Sequence, residues 1–183
     1  MKLKSILNNK IRTSTGALIL VGLFLLWEYF HGGVNTHYLL ARKDLPGISN
    51  WWGLLTIPVL SWIVHSLIQR RQSNKKQSQP NHDNEESTIL KRFLASLAFG
   101  ILLSLLWEFR LEGLLQYLIF LPVVIALFRP VHFPECLLGF VLGMLYTFGG
   151  ILPILVGTVL VVLSWIANKL IREGILFIAS KFN

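Results

Sequence analysis

The sequence predicts an all-α integral membrane protein of about six transmembrane helices set as three helical hairpins. Three observations predict it. The chain of 183 residues is 54% hydrophobic and only 14% charged, with a mean hydropathy of +0.60. Its apolar residues come in blocks that reach the roughly 20 residues needed to cross about 30 Å of hydrocarbon. Its basic residues flank those blocks. That is the pattern of membrane topology and of contact with anionic lipid heads, so the net charge of +8 does not point to nucleic acid. A soluble domain of this size would need far more polar surface to cover its core.

The first span is expected over residues 13–30. Lys2, Lys4, Lys10 and Arg12 precede the apolar run 17–27, as in a signal peptide. No small-x-small cleavage site follows, and the chain continues as Glu28-Tyr29-Phe30-His31, so the run reads as a retained span. A polar outer loop over 31–50 leads to a second span, 51–69. Residues 70–92 are rich in Gln, Asn and Ser and read as a flexible cytoplasmic loop. The third and fourth spans, 91–109 and 114–128, are joined by the tight corner Arg110-Leu111-Glu112-Gly113. Pro134 with Glu135 suits the first turn of a fifth span, 135–150, because proline is tolerated there and a carboxylate complements the helix dipole. Gly149, Gly150 and Pro153 separate it from a sixth, 154–171, with one long kinked or re-entrant element over 135–171 as the alternative.

With the N-terminus inside, every Lys and Arg of the 17 except Arg42, Lys43 and Arg110 falls on the cytoplasmic side. The bias predicts both termini in the cytoplasm and agrees with an even number of spans. Compactness and short loops suggest a bacterial plasma membrane. The lone cysteine, Cys136, rules out an intramolecular disulfide and a thiolate metal cluster.

An internal repeat is also expected. Leu25-Leu26-Trp27-Glu28-Tyr29 is matched by Leu105-Leu106-Trp107-Glu108-Phe109, with Gly33 and Gly113 at the same offset. Ile57-Pro58-Val59 then resembles Leu121-Pro122-Val123 at an offset shorter by 16 residues. The first two hairpins thus read as a parallel repeat in which the first copy carries about 16 additional residues in its outer loop. Long loops in compact proteins tend to carry function.

That loop and its surroundings hold most of the residues that suit chemistry. Glu28 and His31 are three apart and share a helix face. Gly32-Gly33 permits a sharp turn that would bring His37 back beside His31, and Asp44 lies near a second turn at Pro46-Gly47. The second hairpin contributes Glu108 and Glu112. Three chemistries fit. His31, His37 and Asp44 would make a three-ligand site for zinc or non-heme iron. A histidine paired with Glu28 or Asp44 would activate water or a lipid hydroxyl without a metal. Glu28, Glu108 and His65 would mark a proton or ion path. The plainer reading is that Glu28 and Glu108 bond backbone amides or pair with Arg110 and Arg42 at the interface. The Gly139-x-x-x-Gly143 spacing is expected to serve helix packing.

The zincin His-Glu-x-x-His, the nucleophile elbow, the phosphate-binding glycine loop and Cys-x-x-Cys are all missing from the sequence. The residues therefore point to three classes of function. One is a membrane-embedded hydrolase or transferase acting on lipid, with Glu28, His31, His37, Asp44 and Glu108 as its catalytic set. The second is a non-catalytic subunit or assembly factor whose outer loop binds a membrane-protein partner. The third is a small ion or solute transporter, against which stands the scarcity of polar residues near the midplane of the spans.

Overall fold

The computed structural model describes residues 10–38, 44, 47–76 and 82–181. The chain is predominantly helical, and its helices follow the apolar blocks. In chain order they are α1 (Lys10–Phe30), α2 (Gly53–Lys76), α3 (His82–Glu108), α4 (Glu112–Leu118), α5 (Leu121–Ala126), α6 (Pro134–Phe148) and α7 (Ile151–Lys181). Four of them hold stretches long and apolar enough to cross a membrane: Lys10–Phe30, Asn50–Asn74, Glu85–Glu108 and Ile151–Ile171. The other apolar helices are shorter. Leu23, Leu55, Val159 and Leu170 are each more than half exposed on the outward faces. Apolar surface on that scale needs a non-aqueous environment, and the whole fits a helical membrane protein.

Two stretches differ from the expectation. Residues 70–92, expected as a flexible loop, are largely helical: α2 runs on to Lys76 and α3 begins at His82. Their Gln, Lys, Arg and Glu residues are good helix formers, so each helix continues past the end of its apolar part. The fourth apolar block is two short helices, α4 and α5, where one helix over 114–128 was expected. Pro122 lies in the first turn of α5, where its missing N–H costs nothing, and Phe120 precedes that turn with φ −86° and ψ −3°. The matching proline of the first hairpin, Pro58, sits inside an unbroken α2.

The bundle has two well-defined ends. α1 and α2 run antiparallel, with Val21 facing Gly53 and the Lys10 ammonium 5.9 Å from the Trp62 ring. α3 and α6 run parallel and pack closely. A Cβ added at Gly139 would overlap Phe93 and Ser96; one at Gly143 would overlap the backbone of Leu97 and Ile101. Ser104 Oγ donates to the Gly143 carbonyl at 3.2 Å across the same seam. Small residues here let two backbones touch, which is how membrane helices gain contact without a hydrophobic driving force between them. Around the seam lies the core of Val21, Leu25, Ile57, Leu103, Phe140 and Met144. Asn168 Nδ2 ties α7 to the last carbonyl of α5, at Ala126, with a 2.9 Å bond.

Candidate functional site

At one end of the bundle the loop between α1 and α2 forms a short β-hairpin. Strand β1 (Thr36–Tyr38) pairs antiparallel with β2 (Gly47–Ser49) in the register Thr36 with Ser49, His37 with Ile48 and Tyr38 with Gly47. Gly32 and Gly33, at φ 126° and 100°, turn the chain out of α1 into this hairpin, a conformation that favours glycine. Ser49 Oγ accepts from Trp51 N as the chain enters a single 3-10 turn leading to α2.

The register has a chemical result. The next pair outward is Asn35 with Asn50, and Asn50 N donates to the Asn35 carbonyl at 3.0 Å. Both side chains converge on the last turn of α1. Asn35 Nδ2 and Asn50 Nδ2 donate to the same carboxylate oxygen, Oε1 of Glu28, at 2.7 and 2.9 Å. Glu28 is only 8% exposed and Asn50 5%. The other oxygen, Glu28 Oε2, is buried without a hydrogen-bond partner. A buried acceptor left in that state costs about 1–3 kcal/mol, more for a charged group, so it calls for a ligand or a proton.

A third element locks the arrangement. The corner between α6 and α7 passes over Asn50, and Gly149 there adopts φ 69° and ψ −160°. A Cβ at Gly149 would overlap the Asn50 side-chain oxygen, and one at Gly150 would crowd Gly53 and Thr56. Glycine is thus required at Gly149 both by its dihedral angles and by the amide lying against it.

Glu28 opens onto a cavity of about 310 Å³ lined also by Phe24, Trp27, His31, Asn35, Trp107, Glu108, Tyr146 and Thr147, with Gly32 and Gly33 at its rim. Its aromatic wall is held by mutual ring contacts. Phe24 and Tyr146 meet edge to face at 5.5 Å, and Trp107 packs on Phe148 at 5.2 Å. Trp27 stacks on His31 at 3.8 Å. Among the described residues the lining therefore has two carboxylates and several π faces but neither lysine nor arginine.

Of the residues expected at this end, the structure brings Glu28, His31 and Glu108 to one cavity. His31 is exposed and its Nδ1 is 2.9 Å from the Trp27 carbonyl, so its ring is committed to the end of α1. His37 is half-buried in β1, outside the cavity lining, with Nε2 buried and unpaired. Burial pushes its pKa down, and the Glu28 charge partly opposes that. Asp44 is exposed in the hairpin turn. Glu112 begins α4 and is exposed, as is Arg110, which holds φ 55° at the corner and does not line the cavity. Arg42 lies outside the described residues.

The expected zinc or iron set of His31, His37 and Asp44 does not come together. Among the described residues no three His, Cys, Asp or Glu side chains are grouped to hold a metal ion. His31 stacks on Trp27 at the end of α1, while His37 lies in β1 outside the cavity lining. Asn35 and Asn50, the residues that hold Glu28, are absent from the sequence-level candidates. No sequence pattern marks them, because it is the hairpin register that sets Asn35 opposite Asn50.

The opposite end holds a second polar cluster. Glu135, read from the sequence as a helix-dipole carboxylate, is 1% exposed and paired with Arg71 at 2.9 Å and Arg92 at 3.4 Å. Both guanidinium groups lie over the Phe133 ring, at 4.8 and 3.9 Å.

Compared with known proteins, the chain matches no family model, no curated protein and no solved structure, so a functional reading rests on the site itself.

Proposed function

We propose that the chain is a six-span plasma-membrane protein with both termini cytoplasmic, whose outer-facing cavity binds the amine-bearing head group of a lipid. The observation that carries the binding reading is the Glu28 carboxylate: one oxygen fixed by two asparagines, the other buried and unpaired beside a cavity walled by aromatic rings. Carboxylates and π faces both attract a cation, and an ammonium group in such a setting gains from each. Among the described residues, the lining offers no Lys or Arg to a phosphate.

The bundle's two ends support the six-span count. Glu28, Asn50, Gly149 and Trp107 share one end, and Arg71, Arg92 and Glu135 share the other. The chain alternates between them through α1, α2, α3, the α4–α5 pair, α6 and α7. The basic residues Lys10, Arg71, Arg92 and Lys169 lie toward the Glu135 end, which makes that end cytoplasmic.

The lipid hydrolase or transferase reading becomes a metal-free one. Glu28 is the base, positioned by Asn35 and Asn50, and Glu108 is the second carboxylate. Glu28 Oε2, which no described donor occupies, takes a proton from a water as that water's oxygen bonds to the lipid's ester centre, and the proton then passes to the departing alcohol oxygen as the ester bond breaks.

The test uses the purified full-length protein and ethanolamine as the probe. Trp27 and Trp107 line the cavity, so binding should give a saturable change in tryptophan fluorescence. Glu28→Gln keeps the acceptor for both asparagines and removes the charge; it should weaken binding by roughly tenfold or more. A wild-type protein with no saturable change, or a variant that binds equally well, would refute the proposal.

A further inference from the structure

The Glu135 end carries more positive charge than its carboxylate balances. Two guanidinium groups share one oxygen, Glu135 Oε1. Arg71 Nε and Nη1, Glu135 Oε2 and His132 Nδ1 are all buried without partners. Buried polar atoms are almost always bonded, so a cluster of them around a net positive charge marks a place where a further group belongs. The free guanidinium hydrogens of Arg71 are donors, and the partner they require is an acceptor. Burial and then the neighbouring Arg92 lower the pKa of His132 from its ordinary 6.5.

Arg92 also faces a second environment. It lines a cavity of about 330 Å³ whose other walls include Phe99, Leu121, Ile125, Leu137 and Leu160, between α3, α5, α6 and α7. This cavity is within the size range of small-molecule sites. At its wall, Gly157 lets the Leu137 and Phe140 side chains pack directly against α7. Apart from the Ser96 and Ser164 hydroxyls and the Cys136 thiol, its polar side chain is the Arg92 cation.

We propose that this cavity is the binding site of an anionic phospholipid from the leaflet at the Glu135 end, with one acyl chain among α3, α5, α6 and α7 and the phosphate on Arg92 and Arg71. A single residue joins the anion site to the hydrocarbon site, so the occupant is an anion with an attached chain. Arginine suits the role, since it remains charged and presents several donors to a phosphate. Leu121 and Pro122, where α5 begins, themselves line the cavity. The site is separate from the Glu28 cavity and does not depend on the amine-binding reading.

The experiment is native mass spectrometry of the full-length protein in detergent, with phosphatidylglycerol, diacylglycerol of the same chains, and inorganic phosphate as probes. Phosphatidylglycerol should be retained roughly tenfold better than diacylglycerol, as a charge-assisted phosphate contact implies. Arg92→Gln should bring the two lipids to parity. Val161→Phe fills the cavity from α7 and leaves the charges in place; it should abolish lipid retention, and it keeps the test available if Arg92→Gln fails to fold. Equal retention of the two lipids by the wild type would overturn the proposal. So would a preference that survives both substitutions, or displacement of the lipid by inorganic phosphate at equal concentration.

Discussion

The contact between Gly149 and Asn50 permits a prediction that separates two causes of one loss. Gly149→Ala has two consequences. It places a side chain at φ 69° and ψ −160°, a region occupied almost only by glycine, which costs about 1–3 kcal/mol. It also drives a methyl group into the Asn50 amide, which must then leave Glu28. Loss of that hydrogen bond to a carboxylate costs about 1.5–3 kcal/mol. The single substitution should therefore destabilise by about 2.5–6 kcal/mol. Asn50→Ala alone loses only the hydrogen bond, about 1.5–3 kcal/mol. Once Asn50 is alanine, Gly149→Ala has no amide to displace, and only its backbone cost remains. The double variant should then be no less stable than Gly149→Ala alone. Equilibrium unfolding of the four proteins in mild detergent closes the cycle, with helix content as the signal. Strict additivity of the two single costs would refute the reasoning, because it would mean that Gly149 and Asn50 do not act on the same bond.

Two further predictions follow from the same geometry. His37 has a folded pKa below its ordinary value of 6.5, so the unfolded chain binds more protons than the folded one below that pH. Stability should be independent of His37 above about pH 6.5 and should fall as pH drops from there toward the folded pKa. His37→Gln should flatten that slope; unfolding midpoints measured across pH 5–8 would check it, and an unchanged slope would count against it. Gly143→Val should separate α3 from α6, since even a Cβ there meets backbone atoms of Leu97 and Ile101 that cannot give way. A destabilisation of at least about 3 kcal/mol is expected, read as lost folded protein in detergent, whereas an equally bulky change at the open Gly22 should be nearly neutral.

Particular residues show what was legible in advance. The apolar blocks identified the long helices because hydropathy is a local property and a helix satisfies its own backbone wherever water is scarce. Gly139 and Gly143 were readable as a packing seam for the same reason, since their spacing puts both on one helix face. Gly149-Gly150 was readable as a corner, and the structure turns there. The prolines were less readable. Pro58 and Pro122 occupy similar local sequences, yet α2 continues through one and the α4–α5 pair begins afresh at the other. Tolerance of a helix proline depends on which neighbours cover the freed carbonyl, and those neighbours are distant in sequence.

By itself, the sequence determined that this is a helical membrane protein with its polar chemistry gathered at the ends of apolar helices. Glu28 and Glu108 could be placed at one depth from the hydrophobic pattern alone. Only the tertiary structure decided what each carboxylate meets. Glu28 finds Asn35 and Asn50, which hairpin register and the Gly149 corner bring together from separate elements. Glu135 finds Arg71 and Arg92 from two other helices. Periodicity reports which face of a helix is apolar. It carries no record of which polar atom on another helix arrives at hydrogen-bond distance, because that depends on how far each helix slides and turns against the next before the backbones touch.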